Sequence, residues 1–261
     1  MAEKTEDRQG SGGAGTGAVY VVGIGPGGLS HITGRATEVL TGSDVIVGYT
    51  RYVDLVKPLI DGKEIFTTGM TFEVERCSKA LEYARSGKTV AVVCSGDAGI
   101  YGMAGLLFQL SMNEGGTPVP IEVVPGIPAF VSAAAILGAP LMHDFASISL
   151  SDLLTDWDLI EKRVKAAAEA DFVIALYNPK SSKRVEGLRK ALTIISGSRS
   201  PSTPVGIVRN ATRAGQSAVI STLGAIDACL DDIDMLTILI VGNSSTFTSK
   251  GVMITPRGYE V

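Results

Sequence analysis

The chain has 261 residues, 45% of them hydrophobic and 19% charged, with a formal net charge of -4, which suffices for one large or two medium α/β domains with a sizeable core. The acidic balance supplies no polyanion-binding surface and argues against a nucleic-acid partner. The longest weakly polar stretch, 130–142, is broken by Gly138 and Pro140, short of the roughly 20 residues that a membrane span needs.

Residues 1–18 join a charged start to a glycine-rich run and lack the apolar core of a signal peptide, so they read as a disordered leader. From Val19 onward apolar runs alternate with helical patterns, which predicts stacked strand-helix units around a largely parallel sheet. The first strand, 19–23, stops in Gly23-Ile24-Gly25-Pro26-Gly27-Gly28. That spacing formally satisfies a dinucleotide fingerprint. Pro26, however, removes a backbone donor from the loop, and the second strand, 45–48, is followed by no ribose-binding acid. A helix over 73–86 places Val74, Cys77, Leu81 and Ala84 on one core face and ends at Gly87. Strands at 88–94 and 120–124 complete the first block.

A second block carries strands at 146–150, 171–176, 203–209, 216–221 and 236–241, with helices near 156–169, 183–196 and 223–230. Glycine and proline in Leu137-Gly138-Ala139-Pro140 mark the join. The expected domains are therefore 19–140 and 141–261, with no internal repeat. Cys77, Cys94 and Cys229 are few and scattered, which fits a reducing, cytoplasmic compartment and offers neither a disulfide framework nor a zinc cluster. With only two distant histidines, no tightly held protein metal is expected.

Ligands of open parallel sheets bind outside the carboxyl ends of the strands. Four loops stand there: Ser95-Gly96-Asp97-Ala98, where Asp97 can cap the next helix; Pro125-Gly126-Ile127-Pro128-Ala129; Tyr177-Asn178-Pro179; and Arg209-Asn210-Ala211-Thr212. The proline-containing glycine loop and the first three of these, taken in order, resemble the tetrapyrrole methylase family over about residues 19 to 261. Within it, Gly48-Tyr49-Thr50-Arg51-Tyr52-Val53, Leu137 to Phe145, Ile148 to Leu154 and Ala175 to Lys180 are similar to the members that methylate carbon 17 of precorrin-3B and contract the ring in cobalamin synthesis.

The resemblance implies two α/β domains with a cleft between them, a homodimer, S-adenosylmethionine as methyl donor and a tetrapyrrole substrate. It places donor contacts on Pro26, Ser95, Gly96, Asp97, Ile100, Pro128, Ala129, Tyr177, Ala211 and Thr237, mostly through backbone. Ring contraction benefits from proton transfer, for which His143, Asp144 and Asp152 are the candidates. Asp152 equally fits a helix N-cap, and His143 a junction histidine. Arg51, Arg209 and Arg213 suit the substrate carboxylates, or surface ion pairs. Three other readings stay open: the cobalt-containing substrate, cobalt-factor III; an NAD-dependent enzyme; and a non-catalytic corrinoid or nucleotide carrier.

Overall fold

The computed structural model describes residues 17–113, 117–181 and 185–260; most of the expected leader lies outside them. The described residues form two compact units. The first runs to Ile24 and resumes over Ile32–Gly126; the second takes Gly25–His31 and everything from Ile127.

The first unit is a five-stranded parallel sheet, β1 (Val19–Gly23), β2 (Val45–Tyr49), β3 (Glu64–Thr68), β4 (Val90–Cys94) and β5 (Ile121–Val124), in the order β3-β2-β4-β1-β5. Side chains alternate between its faces. Val19, Val21, Val45, Val47, Val90 and Val92 pack on α3 (Glu73–Arg85) and α4 (Ala104–Asn113), while Val22, Ile46, Ala91 and Val93 pack on α1 (Gly34–Gly42) and the short α2 (Thr50–Asp54). Covering both faces explains why the three central strands are nearly continuous β-branched runs. Helix α3 buries Cys77, Leu81 and Ala84 as expected, but Val74 is 57% exposed in its first turn. Gly87, at φ 93°, then turns the chain. Edge strand β3 has no apolar run and mostly exposed side chains, so it left no periodic signal.

The second unit has α5 (Ala129–Leu137), β6 (Gly138–Ala139), β7 (Phe145–Ser149), α6 (Trp157–Glu169), β8 (Val173–Tyr177), α7 (Glu186–Ser196), β9 (Pro204–Arg209), β10 (Ser217–Thr222), β11 (Thr237–Val241), β12 (Phe247–Ser249) and β13 (Val252–Ile254). The expected helix at 223–230 is a 3-10 helix over Leu223–Asp232. The main sheet runs β10-β9-β11-β8-β7. It is not largely parallel: only β7 and β8 pair in parallel, whereas β8–β11, β11–β9 and β9–β10 are antiparallel. Alternation of apolar residues does not encode strand direction, so the sequence pattern was blind to this.

Helices α6 and α7 cover one face of this sheet, and α5 covers the other through Phe130, Ala133 and Leu137 against Val173, Ala175, Val208 and Ile240. Gly206 makes that packing possible, because a Cβ there would overlap the Leu137 methyls. The join expected near 140 therefore falls inside the second unit. Gly138, at φ 127°, ends α5, and β6 pairs with β13 instead of linking domains.

Candidate functional site

In the first sheet the strand after β1 lies beyond β4, and the strand after β4 lies beyond β1. The chain thus leaves β1 and β4 in opposite directions, which opens a crevice at their carboxyl ends. Gly23 pairs with Cys94 there, and the Ile24 N–H donates to the Cys94 carbonyl at 2.9 Å. A Cβ on Gly23 would lie 2.7 Å from the Gly126 nitrogen and 2.8 Å from the Gly96 oxygen, and one on Gly126 would overlap the Gly96 and Gly23 carbonyls. Three strand-end backbones are therefore in direct contact.

Asp97 binds them together. Its Oδ1 accepts from the Gly99 and Ile100 N–H groups at 2.8 and 3.2 Å, and its Oδ2 accepts from the Gly126 N–H at 3.0 Å. It does not cap α4, which begins only at Ala104; it closes a local turn and ties the loop after β4 to the end of β5. Ser95 is half-buried, Gly96 is buried at φ 67°, and Ile100 is exposed. The Cys94 thiol at the strand end is pushed up to about 11 by burial, and Cys77 to about 12 for the same reason. Both stay protonated and belong to the core.

In the second unit β8 and β9 are both antiparallel to β11, so they point the same way, and β7 follows β8. The ends of β7, β8 and β9 and the start of β11 consequently share one edge, where Ser149 pairs with Tyr177 and Arg209 with Thr237. Tyr177, Ala211 and Thr237 come together along it, although the sheet is mixed. The Tyr177 hydroxyl accepts from the Phe130 N–H at 3.2 Å, satisfying a first-turn donor of α5. Pro128 holds the N-cap position of that helix at φ -68°, ψ 154°, with Ala129 its first residue.

Backbone strain collects at the same edge. Asn178, Asn210 and Thr212 lie at φ 51°, 50° and 61°, a region that asparagine tolerates and a β-branched residue resists. The Asn178 amide donates to Ser149 Oγ at 2.9 Å, and the Thr212 N–H donates to Gln216 Oε1 at 2.8 Å. The Thr212 hydroxyl is buried and has no hydrogen-bond partner among the described residues, which ordinarily costs about 1–3 kcal/mol.

Thr237 is buried and committed to Asp234, donating from Oγ1 to Oδ1 at 3.1 Å and accepting the Asp234 N–H at 3.1 Å. Arg209 Nε reaches Asp234 Oδ2 at 2.9 Å. Burial is the largest influence on this carboxyl and opposes its ionisation, yet the Leu236 N–H, Arg209 and Thr237 together hold it below its ordinary value. Arg209 is thus half of an ion pair. Arg213 Nε donates to the Pro26 carbonyl, and Arg51 is exposed on α2. Neither Asp234 nor Gln216 carried a sequence signal, since each acts through a fold-specific partner.

The three acid-base candidates are not brought together. Asp152 follows Leu150, whose N–H donates to the Tyr177 carbonyl at 2.9 Å, so its loop runs beside the Tyr177 edge. It caps no helix, because the N-cap residue of α6 is Asp156. His143 and Asp144 precede Phe145, which pairs with Val173 at the opposite end of β7. Four residue steps of about 3.3 Å separate the two ends. Both side chains are exposed, and His143 Nδ1 accepts the Asp144 N–H at 2.9 Å. Among the described residues no group of three or more His, Cys, Asp or Glu side chains is placed to hold a metal ion, and no helix is long and apolar enough to cross a membrane.

A family model described as tetrapyrrole (corrin/porphyrin) methylases matches residues 18–227. A cobalt-factor III methyltransferase of Priestia megaterium is 51% identical over 94% of this chain, which spans 45% of that protein. A probable cobalt-factor III C(17)-methyltransferase of Salmonella typhimurium is 48% identical, over 92% of this chain and 98% of its own length. Among solved structures, the methyltransferase CobJ is similar with a TM-score of 0.87 and 37% identity, covering 92% of this chain and 100% of that one.

Proposed function

The chain belongs to the tetrapyrrole (corrin/porphyrin) methylases, and from that membership we propose that it methylates carbon 17 of a precorrin-3B-type macrocycle and contracts the ring. The observation that carries this reading is the 48% identity to a probable cobalt-factor III C(17)-methyltransferase along 98% of that protein's length. Of the two substrates, cobalt-factor III is placed ahead of precorrin-3B, because two relatives bearing its name are 51% and 48% identical. The cobalt belongs to the substrate. The enzyme is further proposed to act in the cytoplasm as a homodimer.

S-adenosylmethionine is the proposed methyl donor. The residues suit it: the orphaned Thr212 hydroxyl needs a polar partner, and the loop after β4 opens at the switch of strand order. Pro26, Ser95, Gly96, Asp97, Ile100, Pro128, Ala129, Tyr177, Ala211 and Thr237 are proposed to hold it, Thr237 through backbone because its hydroxyl is already committed. Bound there, the donor supplies an electrophilic methyl group on a sulfonium. The protein's part is alignment, for which fixed geometry supplies about 7–11 kcal/mol of the barrier in favourable cases. Asp97 serves this by locking its turn, and Tyr177 by anchoring the first turn of α5.

Expulsion of a ring carbon needs a proton moved. The Asp152 carboxyl is the group proposed for this ahead of His143 and Asp144, since its loop accompanies the Tyr177 edge. Asp152→Asn is expected to slow ring contraction about 100-fold with donor affinity retained; contraction at the wild-type rate assigns the proton elsewhere. The whole reading is tested by mass spectrometry after anaerobic incubation with methyl-labelled S-adenosylmethionine and, separately, cobalt-factor III and precorrin-3B. One labelled methyl on either macrocycle is the expected result. Binding of both ligands without methyl transfer identifies a non-catalytic carrier instead.

A further inference from the structure

We infer that Arg213 is a positioning residue that holds the glycine loop in its ligand-accepting shape. This rests on the methyl-donor reading above for its consequence, though not for its geometry. The loop Gly25–His31 follows strand β1 of the first unit, yet it clusters with the second. A hydrogen bond from Arg213 Nε to the Pro26 carbonyl, across 187 residues of sequence, ties the loop to that unit. A guanidinium-to-carbonyl bond is charge-assisted and directional. The arginine stem also lies flat on Gly27, where a Cβ would collide with Cγ, Cδ and Nε, so residue 27 must lack a side chain.

The direction of the arginine is itself fixed. Its N–H donates to the Asn210 carbonyl at 2.9 Å, the Gln216 N–H donates to the Arg213 carbonyl at 3.1 Å, and Gln216 Oε1 accepts the Thr212 N–H. The backbone of Thr212 at φ 61° completes a rigid turn, whose carbonyl is 3.4 Å from where a Cβ of Gly28 would stand. The turn that carries Ala211 and the loop that carries Pro26 are thereby one mechanical piece.

The test uses the full chain and S-adenosylhomocysteine as probe, in calorimetry and in hydrogen exchange of the 25–31 segment. Arg213→Met is expected to weaken probe binding about tenfold and to speed exchange in 25–31 while leaving β8 and β11 protected. Arg213→Lys, whose ammonium can still donate to the Pro26 carbonyl, recovers most of the affinity. Gly27→Ala costs affinity in the wild-type background and less beside Arg213→Ala, which removes the Cγ, Cδ and Nε atoms that a Cβ at residue 27 would meet. Wild-type affinity and exchange in Arg213→Met overturn the inference, as does a loss of protection spread over the whole second unit. If the wild-type protein does not bind the probe, the donor reading fails, and exchange in 25–31 still decides the clamp.

Discussion

At the scale of single residues, Asp97 and Thr212 carry opposite lessons. Asp97 stood out in the sequence as a lone acid among glycines, and the structure gives it three backbone donors. An amide accepts at one atom only, so Asp97→Asn turns an NH2 group toward the N–H of either Gly126 or Gly99. A loss of about 1–2 kcal/mol is expected, read as roughly tenfold weaker S-adenosylhomocysteine binding in calorimetry; unchanged affinity would detach this turn from the donor. Thr212 had no such prominence, because an orphaned hydroxyl is visible only once its surroundings are built. Thr212→Val keeps the shape and deletes the unpaired group. Its thermal midpoint is expected to hold or rise while probe affinity falls about fivefold, near 1 kcal/mol. A lowered midpoint with unaltered affinity would make the hydroxyl structural. Gly126 needs no side chain for a spatial reason alone, since its φ is not positive. Gly126→Ala drives a methyl group into two backbone carbonyls, with about 3 kcal/mol of lost stability expected in urea unfolding.

At the scale of elements, the start of β11 and the end of β9 are joined by Asp234. Its folded carboxyl ionises below its ordinary value, so the stabilisation is complete above the unfolded value. It is lost as pH falls through the lowered one. From about pH 4 downward the wild-type melting temperature should therefore drop more steeply than that of Asp234→Asn, and the two curves should converge in acid. Parallel curves from pH 7 to pH 2 would show that the pair contributes nothing. The same stretch shows how far elements were legible. Strands 203–209 and 236–241 were placed within a residue of β9 and β11, because buried β-branched runs are strong signals. Their antiparallel pairing was not, and neither were β3, β6, β12 and β13, which are too short or too exposed to show a period.

At the scale of the whole molecule, light scattering is expected to give twice the chain mass, in line with the proposed homodimer; a monomer that still turns over substrate removes it. The sequence by itself determined the α/β class, the positions of the central strands and the ordered loops at their ends, because burial and turn chemistry are local properties of consecutive residues. It also carried the family, in four motifs spread from Gly23 to Pro179. Only the tertiary structure decided which candidates share an edge. Strand direction put Tyr177, Ala211 and Thr237 together and set His143 and Asp144 at the far end of β7 from Asp152. It also paired Arg209 with Asp234 and set Arg213 against the Pro26 carbonyl. Such partnerships join residues 25 and 187 positions apart, and a charged side chain's role is fixed by what packing places within hydrogen-bonding reach, which no run of neighbouring residues encodes.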